Sequence, residues 1–138
     1  MGLWRRHGSG PEPVRELLFA KSLGRRFRWD FAWPNPPTVG ELTSGGVAVE
    51  VQGGIWTRGR HSRGGRAQIA ESDKMNIAAL LGWRVVFLTT AHLTENPLRS
   101  IRLVELVLNG ETSLRELSLV LSPAPARRRS ASRPRRRS

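Results

Sequence analysis

Val47-Ala48-Val49-Glu50-Val51-Gln52-Gly53-Gly54 is the stretch that most constrains what this chain can fold into. Its β-branched residues suit a pleated, half-buried strand. Side chains alternate along a strand, so Val47, Val49 and Val51 face one way and Ala48, Glu50 and Gln52 the other. The valine face reads as core. The opposite face carries a carboxylate and an amide into the same strand, where an unpaired buried charge costs several kcal/mol. Such groups persist where they are hydrogen-bonded, or where they hold a metal.

The flanking sequence supplies a sheet for this strand. Residues 25–33 read as a second strand, in which Phe27, Trp29 and Phe31 alternate with Arg26, Arg28 and Asp30. Asp30 is therefore expected opposite the aromatic stripe. Pro34, Asn35, Pro36 and Pro37 end that strand, and a long hairpin to Gly45 and Gly46 makes the Glu50 strand its antiparallel neighbour. Residues 66–81 read as a helix whose apolar arc is Ile69, Ile77, Leu80 and Leu81. Asp73 falls in the middle of that arc, with Lys74 and Asn76 at its borders; Gly82 stops the helix. Trp83–Thr90 is a strand parallel to the Glu50 strand through the helical crossover. Residues 95–108 form a covering helix that ends at Gly110.

Three segments are less determined. Residues 14–20 fit a helix or a strand equally. Residues 113–121 can add a short element. Residues 1–13, with Gly8, Gly10, Pro11 and Pro13, are expected to be poorly ordered. The fold class is α/β: a mixed central sheet flanked by helices over residues 14–121.

At 138 residues the chain makes one domain. The absence of cysteine excludes disulfides and thiolate zinc sites. No apolar run is long enough to span a bilayer, and the N-terminus lacks the uninterrupted apolar region of a secretory signal. The expectation is a soluble cytoplasmic protein without a membrane partner. Net charge is +12, and residues 123–138 hold seven arginines and no acid, which leaves +5 on residues 1–122. This Pro/Ser/Ala/Arg tail, residues 122–138, cannot build a core and is expected to be disordered. Its charge suits polyanions, although an unselected extension has the same composition.

Between the Glu50 strand and the next helix lies Gly53–Gly65, glycine-rich, with Trp56, Arg58, Arg60, His61 and Arg63. It suits a phosphate backbone, or is a solvated surface loop. Trp56 could stack on a base or cap the core. Asp30 and Glu50, on adjacent strands, are either a polar pair satisfied by Arg28 or Arg84, or two oxygen ligands for a hard cation. Asp73 needs a partner such as Arg84 or the backbone of the Glu50 strand. Lys74 is either catalytic or a surface lysine. His7, His61 and His92 are too scattered for a histidine-based metal site.

Taken in order, Arg28-Trp29-Asp30-Phe31-Ala32-Trp33-Pro34, Val47 to Gly54, Arg60-His61, Asp73-Lys74-Met75-Asn76 and Leu81-Gly82-Trp83-Arg84-Val85 resemble the PD-(D/E)XK nuclease superfamily. Within it the chain is most similar to small bacterial and phage endonucleases related to very-short-patch-repair endonucleases and Holliday-junction resolvases. The resemblance covers roughly residues 11–90. It implies a restriction-endonuclease-like fold and Mg²⁺-dependent hydrolysis of DNA, with Mn²⁺ as a substitute ion. Asp30, Glu50 and the Val51 carbonyl would be the metal ligands. Gln52 stands where the superfamily lysine usually stands, and Lys74 on the following helix would replace that charge. Asp73 and Asn76 would support the site, and Arg58, Arg60, His61 and Arg63 would bind DNA. The superfamily's opening helix is expected to be truncated, with Glu16 as a substitute for its acid. DNA is the implied partner, and a homodimer is one way to cut both strands. A catalytically inactive or weak DNA-binding relative, or a basic nucleic-acid-associated protein of another fold, are the competing readings.

Overall fold

The computed structural model describes residues 2–35, 45–53, 64–110 and 113–121. Four strands form one sheet in sequential order: β1 (Val14–Leu18), β2 (Arg28–Pro34), β3 (Gly46–Gln52) and β4 (Trp83–Thr89). β1–β2 and β2–β3 are antiparallel, and β3–β4 is parallel, with Glu50 level with Phe87. The helix α2 (Gly64–Leu80) makes the crossover between the parallel pair. Gly82, at φ 79°, turns the chain from α2 into β4, a conformation that costs glycine little. The mixed sheet and the crossover match the fold class expected from the sequence. Among the described residues, no helix is long and apolar enough to cross a membrane.

Each face of the sheet is covered. On one face α2 packs its Ala78 against a cluster of Phe19, Ala20, Trp29, Ala32, Ala48 and Trp83. The four alanines of this cluster let the helix approach the sheet closely. On the other face lie α3 (Thr90–Glu95) and α4 (Pro97–Asn109), which bury Val104 against Val49, Val86 and Leu88. Thr89 caps α3 by accepting from His92 N, while His92 Nδ1 accepts from Thr89 N. Asn96 caps α4, Pro97 opens it, and Gly110 closes it in the left-handed conformation. Residues 113–121 do add an element, α5 (Leu114–Leu121), which packs on α4.

Two expectations are corrected. The first concerns residues 1–13, where poor order was expected from the glycines and prolines. Residues 2–7 form a helix, α1 (Gly2–His7), whose Trp4 is buried in the Val49–Val104 cluster. The indoles of Trp4 and Trp33 both donate to the Pro11 carbonyl, at 3.0 and 2.7 Å. Ser9 donates its backbone N–H and its hydroxyl to the buried Glu105 carboxylate. These contacts tie the segment down despite its helix-breaking composition. Glu16 lies on the edge strand β1 and pairs with Arg28 at 2.8 Å.

The second correction concerns the inner face of α2. Ile69 and Leu80 are exposed, and Lys74 and Ala78 are buried in their place. The helix is rotated relative to its apolar pattern, because its tightest contact uses an alanine and a charged side chain.

At the β2–β3 junction, a Cβ on Gly46 would run into the Trp33 carbonyl, and its φ of 133° excludes most side chains. Gly65, in the first turn of α2, faces open space. Gly46→Ala should therefore lower unfolding free energy by about 2 kcal/mol or more. Gly65→Ala should raise it by up to about 1 kcal/mol. Urea midpoints of the two variants check both signs.

Candidate functional site

β2 and β3 bring Asp30 and Glu50 to neighbouring positions. Their ladder runs from Pro34–Gly46 to Phe31–Val49, and the next step in that register sets Asp30 across from Glu50. The ladder stops there because Asp30 intervenes: its Oδ2 accepts from Val51 N at 2.7 Å. A side chain takes the place of a backbone partner, as aspartate does readily. The strict alternation expected along β2 fails at this point. Trp29 joins the Ala32–Ala48 cluster on the α2 side, while Phe31 packs with Val49 on the opposite face. The aromatic stripe is thus split between both faces, and Asp30 is not simply opposite it.

From α2, Lys74 reaches the same place. Its Nζ donates to Glu50 Oε1, and the ammonium sits 4.6 Å from the centroid of the Trp29 ring. Lys74 is 8% exposed and Trp29 is fully buried. Phe19 stacks on Trp29 with centroids 4.3 Å apart and planes 5° from parallel. The indole is held as a fixed wall, and a cation over its face gains electrostatic attraction. Neither Arg28 nor Arg84 satisfies Glu50, as the polar-pair reading had expected. Lys74 is not a surface lysine.

Glu50 is left incompletely satisfied. Its second oxygen, Oε2, is buried with no hydrogen-bond partner among the described residues. Burial pushes the Glu50 carboxyl above its ordinary value; Lys74 opposes the rise, and the nearby charges of Asp30 and Glu71 add to it. Glu71, one turn before Lys74 on α2, was not singled out by the sequence analysis. Its i−3 spacing from Lys74 was the available signal. Lys74 pairs with Glu50 alone, and the charges of Asp30 and Glu71 act on the Glu50 carboxylate beside it. Asp30 and Glu50 supply hard oxygen donors, and Glu50 Oε2 is an orphaned buried oxygen. That set fits Mg²⁺ or Mn²⁺ with retained waters. No group of three His, Cys, Asp or Glu side chains positioned to hold a metal occurs among the described residues. Any ion here would rest on the two carboxylates together with backbone oxygen and water.

The remaining expected residues are dispersed. The Val51 carbonyl, the third expected ligand, accepts from Gly53 N at 3.1 Å. Gln52 is exposed at the end of β3. Asp73 does not sit at the centre of a buried face; it pairs with Arg25 at 3.1 Å, nearly half exposed. Asn76 is exposed, two residues and about 200° around α2 from Lys74, so it does not line the site. Arg58, Arg60, His61, Arg63 and Trp56 lie outside the described residues, as does the tail over 122–138. Comparison with family models, with curated proteins and with solved structures returns no match.

Two outcomes follow from the Lys74–Glu50 contact. Lys74→Met should destabilise the fold by about 2 kcal/mol, since it strands a buried carboxylate. Adding Glu50→Gln should recover part of that loss, giving a coupling of about 1 kcal/mol or more in a double-mutant cycle. The raised Glu50 value also has a sign in pH. The stability that Glu50 contributes is complete below its ordinary value and is lost as pH rises through the raised one. In EDTA, the stability of the native chain relative to Glu50→Gln should therefore fall as pH rises across the acidic range. Denaturant titrations at a series of pH values measure it.

Proposed function

We propose that this chain is a metal-dependent endonuclease that hydrolyses DNA phosphodiester bonds with Mg²⁺, in a restriction-endonuclease-like arrangement of the PD-(D/E)XK type. The observation that supports this most is the convergence of Asp30, Glu50 and Lys74, with a buried Glu50 oxygen left unpartnered.

In this reading Asp30 and Glu50 hold the ion, and the Val51 carbonyl adds a third oxygen. When bound, Mg²⁺ polarises the scissile phosphate and lowers the pKa of its water. The chain's own residues set the rest. Asp30 is fixed by Val51 N–H, so its remaining oxygen has a defined direction. Lys74, held against Trp29, supplies the positive charge that Gln52 cannot. It would orient the attacking water and offset charge gathering on phosphate in the transition state. The arginine-rich loop and tail would grip the backbone without reading sequence. Glu71 would add to the negative field that draws a cation in.

A weak or inactive DNA-binding relative is the second reading. The direct closure of Lys74 on Glu50 favours it, since the ammonium already occupies one carboxylate oxygen that an ion would use.

Cleavage separates the two. Labelled duplex, branched and single-stranded DNA would be incubated with Mg²⁺, Mn²⁺ or EDTA and the native chain, Asp30→Ala or Glu50→Ala. The endonuclease reading predicts metal-dependent cutting that falls by about 100-fold or more in each folded variant. Salt-sensitive binding without cutting under any condition would establish the inactive relative. Cutting that persists in both variants would refute this site.

A further inference from the structure

The turn between β1 and β2 carries Lys21, Arg25, Arg26 and Arg28 within eight residues and no acid. Residues 21–28 are exposed except at Phe27. Its shape is fixed by contacts beneath it. Ala20, fully buried, accepts from Leu23 N and Arg25 N at 3.1 Å each. Phe19 N donates to the Phe27 carbonyl at 3.2 Å, and Phe27 packs on the core cluster. Gly24 N donates to the Lys21 carbonyl at 3.0 Å, with Gly24 in the left-handed conformation.

Two of the four cations are committed. Arg28 pairs with Glu16, and Arg25 pairs with Asp73 while lying 4.7 Å from the Phe27 centroid. Exposed pairs of this kind add little stability. Their effect is positional: Arg25–Asp73 docks the turn onto α2 at the residue preceding Lys74. The side chains of Lys21 and Arg26 have no ion-pair or hydrogen-bond partner among the described residues. Four cations against two acids leave a local charge of +2 beside the candidate site.

We propose that this turn is a second contact with the phosphate backbone of duplex DNA, with Lys21 and Arg26 as the contacting side chains. It is separate from the loop over 54–63 and from the tail. The proposal rests on the nucleic-acid reading above and extends it to a surface. The turn's amides of Leu23, Gly24 and Arg25 are spent on internal hydrogen bonds, so it offers no backbone cradle for one captured phosphate. What remains is spaced side-chain charge on a rigid base, which suits a repeating polyanion. The turn also leads directly through Arg28 and Trp29 into Asp30. A backbone held on Lys21 and Arg26 would run past the carboxylates.

The test is duplex binding by the full chain in EDTA, measured as affinity against salt concentration. Lys21→Gln/Arg26→Gln is compared with Arg6→Gln/Arg115→Gln, which removes two exposed charges elsewhere. Each lost phosphate contact lowers the salt slope by about 0.9. The Lys21/Arg26 variant should therefore lose nearly 2 from the slope, and roughly tenfold or more in affinity at moderate salt. The control pair should lose much less of both. Equal behaviour of the two variants, with the native chain binding tightly, would overturn the turn as a contact and leave the endonuclease reading intact. No duplex binding by the native chain would overturn both. Thermal melting of all three proteins confirms that each is folded.

Discussion

The Lys74 ammonium, held between the Glu50 carboxylate and the face of Trp29, ties the crossover helix to the sheet. It joins the crossover helix α2 to β3 through a charge. Removing two ions from water is costly, and their attraction repays it only when geometry and neighbours cooperate. Here Trp29 is locked by Phe19 on one side and approached by Trp83, 6.0 Å away, on another. Ala48 and Ala78 keep the helix close enough for Lys74 to reach. Changing any of these would move the ammonium, and with it the carboxylate.

The same contact leaves a deficit. One Glu50 oxygen is bound and the other is not, while Asp30 and Glu71 add negative charge around it. A fold that needed only a structural tie between helix and sheet could have used a single satisfied pair. Surplus carboxylate, burial and a fixed cation are together what the proposed cation site would require. The rigid backing makes it suited to electrostatic work, since groups that are already oriented need not reorganise. The surrounding surface fits the same picture. The β1–β2 turn is basic and is docked beside Lys74, and most of the chain's excess charge lies in the arginine tail.

Much of the fold was readable in the sequence because it rests on periodicity and punctuation. The β-branched run over 47–51, the run over 83–89 and the glycine stops at Gly82 and Gly110 gave the parallel pair, its crossover and the covering helix. The edge strand β1 was not decided, since a short apolar run fits either period. The failures have particular causes. The inner face of α2 is made of Ala78 and Lys74, which an apolar count passes over while scoring the exposed Ile69 and Leu80. Residues 2–11 are held by the Trp33 indole on the Pro11 carbonyl and by Ser9 on Glu105, partners far away in sequence, so local composition could not reveal their order. Along β2, alternation breaks because the Asp30 side chain replaces a ladder bond. At the site, Asp30, Glu50 and Lys74 were all named from sequence, and the structure brings them together. Asn76 and Asp73 were named with them, yet one is exposed on the far side of α2 and the other pairs with Arg25. Glu71 was passed over because an exposed helical glutamate is ordinary until its distance from another carboxylate is known.

Asp30 and Glu50 are proposed to form a cation site beside Lys74. Its most direct test is Mn²⁺ binding to the native chain, followed by electron paramagnetic resonance of the free ion, with Asp30→Asn and Glu50→Gln alongside. The account predicts a Mn²⁺ site on the native chain that is lost in both folded variants and weakens as pH falls through the raised Glu50 value. Equal Mn²⁺ binding by all three proteins, or none by the native chain at millimolar ion, would contradict it and leave Lys74–Glu50 as a structural tie.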